Sequence, residues 1–188
     1  MKNKKKLVED ALLLAREKVA MPEILDFSLK KGEELAELYK VDKEIVSISI
    51  CLMDIKLKDA KQKGKIKEHV AMAVEFAKSF LKEYSLTEEE FDKIINGIEA
   101  HHGKIPFQCK EAEVCCNADC YIFIHPLGVF QYMNLLAKRG ENIKSQAEQL
   151  KGKLEEKYQL LTLDKAKEEL DEYYKMFQKV YNEIIDSV

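Results

Sequence analysis

The stretch Ile45-Val46-Ser47-Ile48-Ser49-Ile50-Cys51-Leu52-Met53-Asp54-Ile55 decides the fold of this chain. It is apolar on nearly every side of a helix, which predicts a central helix covered by other elements. Asp42 precedes it and belongs to the residue types that cap helix N-termini, so the helix is placed over about residues 43–55. Asp54 is the only charged residue in the quoted stretch.

On both sides of this stretch the sequence keeps a helical period of apolar residues and shows no strand-like alternation. Pro22, Pro126 and the pair Thr87 and Glu90 have the chemistry of helix starts. A lysine-rich stretch over 56–65, which contains a glycine, is predicted as a loop. The expected fold class is therefore all-α, with helices over about 7–19, 22–39, 43–55, 66–84, 87–102, 109–124, 126–140, 142–161 and 163–187.

The last two helices are long and amphipathic. They predict a C-terminal helical hairpin over 141–188, packed on a helical domain over 1–140. Their apolar stripes either pack back on the domain, pair in a homodimer or bind another protein, and the sequence leaves these three possibilities open.

Composition and charge limit the functional classes. The 188 residues are 46% hydrophobic and 35% charged, which supports a real core. A net charge of −3 offers no basic face for general nucleic-acid binding. The longest apolar runs are about half the length of a membrane span, so no membrane is expected as a partner. No apolar signal segment follows the basic start, and the five cysteines then indicate reduced thiols in a cytoplasmic protein.

Two aspartates are each the only charge in an apolar run, Asp54 in the stretch quoted above and Asp119 in a second run over 114–124. An unpaired buried carboxylate costs several kcal/mol, so each should have a compensating partner. That partner is a helix N-terminus, a basic residue from elsewhere or a metal ion. The occurrence of two such residues favours a shared cation.

Three histidines lie where they could complete a metal site. His69 ends the apolar face of one helix, and His101 and His102 end the apolar face of the next. Each could instead be a hydrogen-bonded core residue. Imidazole combined with carboxylate favours Mn, Fe, Co, Ni or Zn over Mg. His125 precedes a helix start and is interpreted as structural.

Taken in order, these residues resemble the HD-domain superfamily of metal-dependent phosphohydrolases. In that family a helical bundle presents a His, a His-Asp pair, later His residues and a closing Asp. The resemblance covers about residues 8–125, two thirds of the chain. The matching stretches are 52–55 for the Leu-His-Asp-Ile signature, His69 with Ala73, 98–102 for the paired His, and 111–119 for the closing acidic segment.

The resemblance implies an HD-type helical bundle followed by the C-terminal helix pair. Two family ligands are missing, since Met53 replaces the signature His and Ile24 falls in the slot of the first His. The set that remains implies one divalent ion, with the predicted metal residues Asp54, His69, His101, His102 and Asp119. The expected function is a phosphohydrolase of weak or absent activity on a nucleotide or other small phosphoester. The alternative is a catalytically inactive HD-fold ligand-binding or scaffold protein.

Two further patterns have competing interpretations. Cys115, Cys116 and Cys120 are either small buried hydrophobes or, for the last two, ligands near Asp119. The lysines over 56–65 are either a solvated loop or a surface that meets an anionic substrate. Lys104 is a candidate for phosphate contact.

Overall fold

The protein is described from a computed structural model, which covers residues 3–18 and 22–187. The described part is helical throughout, contains no β-strand and confirms the all-α prediction. Its helices are α1 (Lys4–Lys18), α2 (Pro22–Tyr39), α3 (Lys43–Met53), α4 (Leu57–Gln62), a 3₁₀ turn (Ile66–Glu68), α5 (His69–Leu81), α6 (Glu88–Ala100), α7 (Lys110–Ile124), α8 (Pro126–Lys138), α9 (Ile143–Gln159) and α10 (Asp164–Ser187).

The helix starts follow the cap chemistry in the sequence. The Asp42 carboxylate accepts hydrogen bonds from the first backbone amides of α3, at 2.9 and 3.2 Å. Thr87 and Glu90 form a reciprocal capping box at the start of α6. His125 caps α8 through its ring and Pro126 takes the first helical position. The expected end of the first helix at Val19 lies outside the described residues.

The prediction of a loop over 56–65 was wrong. Residues 57–62 form the short helix α4, and its Ala60 is completely buried. The only buried residue of α4 is one alanine in a stretch with five lysines, so the sequence shows no clear helical period of apolar residues there. Packing against the rest of the fold therefore determines that this segment is helical. The following helix begins with a 3₁₀ turn, and regular α-helix starts only at His69.

The chain divides into two compact units, Met1–Ala118 and Asp119–Val188. The boundary lies inside α7, earlier than the domain boundary placed at residue 140 from the sequence. In the first unit α3 is the central helix and packs against α1, α2, α5 and α6. Every residue of α3 from Ile45 to Met53 is buried, as its apolar sequence predicts.

In the second unit α9 packs against both α8 and α10. The apolar stripes predicted for the C-terminal pair are largely buried, and Tyr158 of α9 stacks on Tyr174 of α10 with ring centroids 3.7 Å apart. The two long helices therefore form a true hairpin.

No single helix in the described ranges has the length and apolar character needed to cross a membrane. Helices α7 and α8 reach that length and composition only as a pair, which is bent by 67°.

Candidate metal centre

Four of the five predicted metal residues meet in the first unit. Asp54 is the residue that ends α3, His69 is the first residue of α5, and His101 ends α6, with His102 following it. Because α3, α5 and α6 pack against one another, their ends converge at one point. The side chains that meet there are separated by up to about fifty residues in the sequence.

A close approach of α3 and α6 sets the spacing of the site. A Cβ atom added to Gly97 would lie 2.6 Å from Oγ of Ser49 and 2.8 Å from its Cβ. The Ser49 hydroxyl is buried and donates a hydrogen bond to the carbonyl of Ile45 at 2.8 Å. A glycine facing a small, internally bonded serine lets the two helices pack closely just before the ends that carry Asp54 and His101.

The ligand nitrogens of the three histidines lie at distances suited to one ion, and Asp54 lies beside two of them. The Nε2 atoms of His69 and His102 are 3.2 Å apart. Oδ1 of Asp54 lies 3.4 Å from Nε2 of His69 and 3.8 Å from Nε2 of His101. One ligand nitrogen from each of the three histidines lies within 4.8 Å of the others. Two nitrogens that share an ion at about 2.1 Å are about 3.0 to 3.4 Å apart, so the His69–His102 spacing already fits.

Backbone carbonyls orient two of the rings. Nδ1 of His69 lies 2.6 Å from the carbonyl oxygen of Ile66, and Nδ1 of His101 lies 2.7 Å from that of Ile98. A carbonyl can only accept, so each Nδ1 carries the hydrogen and donates it. In the neutral rings, Nε2 then presents its lone pair toward the site, which is the arrangement typical of metal-bound histidine.

Within the part of the chain that the structure describes, the Nε2 atom of His101 has no hydrogen-bond partner, although its side chain is completely buried. Leaving a buried acceptor unsatisfied costs about 1 to 3 kcal/mol, and native proteins rarely tolerate it without a reason. A cation bound between the three rings would satisfy this atom. The donor set therefore fits a divalent transition metal.

Asp54 is not buried as the sequence had suggested. Its side chain is 36% exposed, because the residue lies just beyond the last turn of α3 and is no longer enclosed by that helix. The carboxylate thus needs no buried partner to be tolerated. Its exposure gives the candidate centre one side that is open to solvent.

Asp119 has a different partner from the one favoured by the sequence. Its Oδ2 lies 2.5 Å from Nζ of Lys157 in the second unit, and the two side chains are 3% and 1% exposed. The sequence allowed a helix N-terminus, a basic residue from elsewhere or a metal ion as the partner of this aspartate, and the structure contains the basic residue. Lys157 lies three residues after Leu154 and four before Leu161, which places it on the apolar stripe. A cation on an apolar stripe was the feature of the sequence that could have predicted this pair.

Met53 and Ile24, which stand where the HD-type resemblance expects histidines, offer no imidazole. Met53 is buried and Ile24 is half-buried. Cys115, Cys116 and Cys120 are completely buried, and burial raises the pKa of the Cys115 thiol well above its usual range. The raised thiol pKa of Cys115 and the complete burial of all three residues fit their interpretation as small hydrophobes.

No protein-family model matches this chain, and no similar protein was found among the curated proteins or the solved structures.

Proposed function

We propose that this chain binds one divalent transition-metal ion through Asp54, His69, His101 and His102, and that it hydrolyses a small phosphoester as an HD-type phosphohydrolase with a reduced metal site. The observation that supports it most directly is the buried Nε2 of His101, which has no hydrogen-bond partner among the described residues and lies 3.8 Å from Oδ1 of Asp54. Mn, Fe, Co, Ni and Zn all suit three imidazoles and one carboxylate.

A bound ion of this kind supplies Lewis acidity toward a phosphoryl oxygen and lowers the pKa of a bound water. The chain's own residues hold and orient the reacting groups. His69 and His101 are aligned by their carbonyl partners, so the ligand set is organised before any ion binds. Asp54 contributes the only negative charge of the ligand set and lies on the open side, where an anionic substrate and water can enter.

The proposed centre excludes Asp119. A lysine ammonium at 2.5 Å already balances that carboxylate, and a metal ion would compete with it for the same oxygens. Met53 and Ile24 provide no imidazole for a second ion. Without a second ion the attacking and leaving oxygens cannot both be clamped by metal, so slow turnover is expected.

The absence of these two imidazoles also favours a second candidate function, a catalytically inactive HD-fold protein that binds a ligand or serves as a scaffold. Metal binding and turnover separate the two candidates, because the inactive protein can keep the ion and lose the chemistry.

The first experiment measures metal content. Purified protein is loaded with Mn, Co, Ni or Zn, dialysed and analysed for bound metal. We expect about one equivalent for the native chain and a loss of at least tenfold in affinity for His101→Gln. His125→Asn is the matched control, since it also removes a histidine but leaves a side chain that can cap α8. Equal metal content in the native protein and His101→Gln would contradict the proposed centre.

The second experiment measures hydrolysis of a panel of nucleotides and aryl phosphoesters with each ion present. Metal-dependent turnover that is lost in Asp54→Asn supports the phosphohydrolase. Turnover that persists in Asp54→Asn would assign the activity to another site or a contaminant. Stoichiometric metal with no turnover on any substrate would favour the inactive alternative.

A further inference from the structure

Two loops beside the candidate metal centre expose lysine together with isoleucine. The first loop runs through Lys63, Lys65, Ile66 and Lys67, and the second contains Lys104 and Ile105. Ile66 is 50% exposed and Ile105 is 40% exposed. Other large apolar side chains of the chain are equally exposed, but these two isoleucines each have a lysine as a chain neighbour.

The contact between His69 and His102 links the segments that carry the two loops. The Ile66 carbonyl accepts the hydrogen bond from His69, and Ile105 follows His102 by three residues. The Nε2 atoms of these two histidines lie 3.2 Å apart. Since consecutive Cα atoms are about 3.8 Å apart, the Cα atoms of Ile66 and Ile105 each lie within about 11 Å of the Cα atom of a histidine in this contact. We call the group formed by Lys63, Ile66, Lys67, Lys104 and Ile105 the basic rim.

Within the described residues the lysines of the basic rim form no salt bridge, although Lys63 is close enough to Asp59 to contribute, after the hydrogen bond from Lys56, to lowering the pKa of that carboxyl. Lys63, Lys67 and Lys104 are all exposed. By contrast, nearby Lys56 and Lys65 pair with Asp59 and Glu68. Three exposed ammonium groups outside salt bridges, together with two exposed isoleucines, give these loops both cationic and apolar groups.

This combination fits one kind of partner better than others. An anionic lipid layer offers phosphate and carboxylate groups to the lysines and an apolar boundary for the isoleucines a few ångströms below. A single-stranded nucleic acid would favour exposed aromatic side chains that stack on bases, and the basic rim has none.

We propose that the basic rim docks the chain onto the surface of an anionic phospholipid membrane. The contact is peripheral, with the lysines at the headgroups and Ile66 and Ile105 at the edge of the acyl region. It revises the expectation that no membrane is a partner, which depended only on the short apolar runs. It does not depend on the proposed hydrolase activity, because no metal ligand belongs to the basic rim.

Vesicle co-sedimentation of the full chain tests this proposal. The vesicles are phosphatidylcholine alone, or phosphatidylcholine mixed with phosphatidylserine. We expect binding only to the mixed vesicles, and weaker binding as salt is raised. Each lysine near an anionic surface contributes about fivefold to partitioning, so Lys63→Gln/Lys67→Gln/Lys104→Gln should bind about a hundredfold more weakly.

Matched variants separate the basic rim from overall charge and apolarity. Lys5→Gln/Lys78→Gln/Lys82→Gln removes the same charge from other exposed positions and should retain most of the binding. Ile66→Ser/Ile105→Ser should weaken binding severalfold, whereas Leu13→Ser/Leu38→Ser, at positions of similar exposure, should not. Circular dichroism checks that each variant keeps its helices.

Three results would overturn the proposal. One is the absence of preference for the anionic vesicles. Another is unchanged binding by the basic-rim lysine variant, or an equal loss in the control lysine variant. The third is tight binding of a single-stranded oligonucleotide through these lysines without vesicle binding, which would make the basic rim a nucleic-acid surface.

Discussion

Nζ of Lys157 lies 2.5 Å from Oδ2 of Asp119, and neither side chain is more than 3% exposed. An ion pair enclosed in this way is costly to break, because the remaining partner keeps its charge without water or a counter-ion. Removing both partners is expected to cost much less than the sum of the two single changes. This relationship leads to the first prediction.

Asp119→Leu and Lys157→Met should each lower the free energy of unfolding by about 3 to 5 kcal/mol, and the double variant should lose less than either. Urea unfolding of the three variants and the native chain measures the coupling as a double-mutant cycle. Additive losses would show that Lys157 is not the partner that stabilises Asp119.

Metal addition should stabilise the folded chain against heat. A divalent ion at about a hundred times its dissociation constant adds about 2.7 kcal/mol if it binds only the folded state. Thermal unfolding followed by circular dichroism, with and without the ion, measures the effect. His69→Ala should abolish the shift and His125→Asn should keep it. A shift of equal size in His69→Ala would place the ion elsewhere.

Gly97→Ala should disturb both stability and metal binding. The new methyl group would overlap Ser49, forcing α6 away from α3 and separating His101 from Asp54. We expect a loss of about 1 to 3 kcal/mol by urea unfolding, with weaker metal affinity. The matched control is Gly152→Ala in α9, where a methyl group would meet nothing within 4 Å. That control should gain up to about 1 kcal/mol, since alanine favours a helix interior over glycine.

Lys4 links the starts of α3 and α6 and should make stability depend on acid pH. Its Nζ lies 2.8 Å from both Asp42 and Glu90. Partial burial acts to raise the pKa of Asp42, but the hydrogen bond from Lys4 and other contacts leave it below its usual value. The hydrogen bond from Lys4 likewise lowers the pKa of Glu90.

Carboxyl pKa values that are lowered by folding give stability that is complete above the unfolded values, at about pH 4, and disappears as pH falls through the native values. Lys4→Gln should therefore lose about 1 kcal/mol at pH 7 and progressively less below about pH 4. Urea unfolding across this pH range measures the difference. Lys43→Gln, which breaks a more exposed pair with Glu37, is the control and should have a smaller effect. A constant difference at every pH would exclude the carboxylates as its source.

Much of the architecture could be predicted from local chemistry. The Asp42 cap, the box formed by Thr87 and Glu90 and the prolines that open α2 and α8 depend on residues within one helical turn. The sequence of α3 predicted that this helix is buried, because it is apolar on nearly every side. In contrast, α4 was missed, because one buried alanine among lysines carries no period that a sequence can show.

At the candidate site, too, some features could be predicted from the sequence and others could not. The positions of His69, His101 and His102 at the ends of apolar faces were visible in the sequence, because a helical period places them there. Which charge meets which partner was not visible. Lys157 reaches Asp119 across thirty-eight residues, and Asp54 is 36% exposed at the end of its helix. Periodicity and caps act within a turn or two of chain, whereas the enclosure of a charge depends on elements brought together by packing, so only the tertiary structure could decide it.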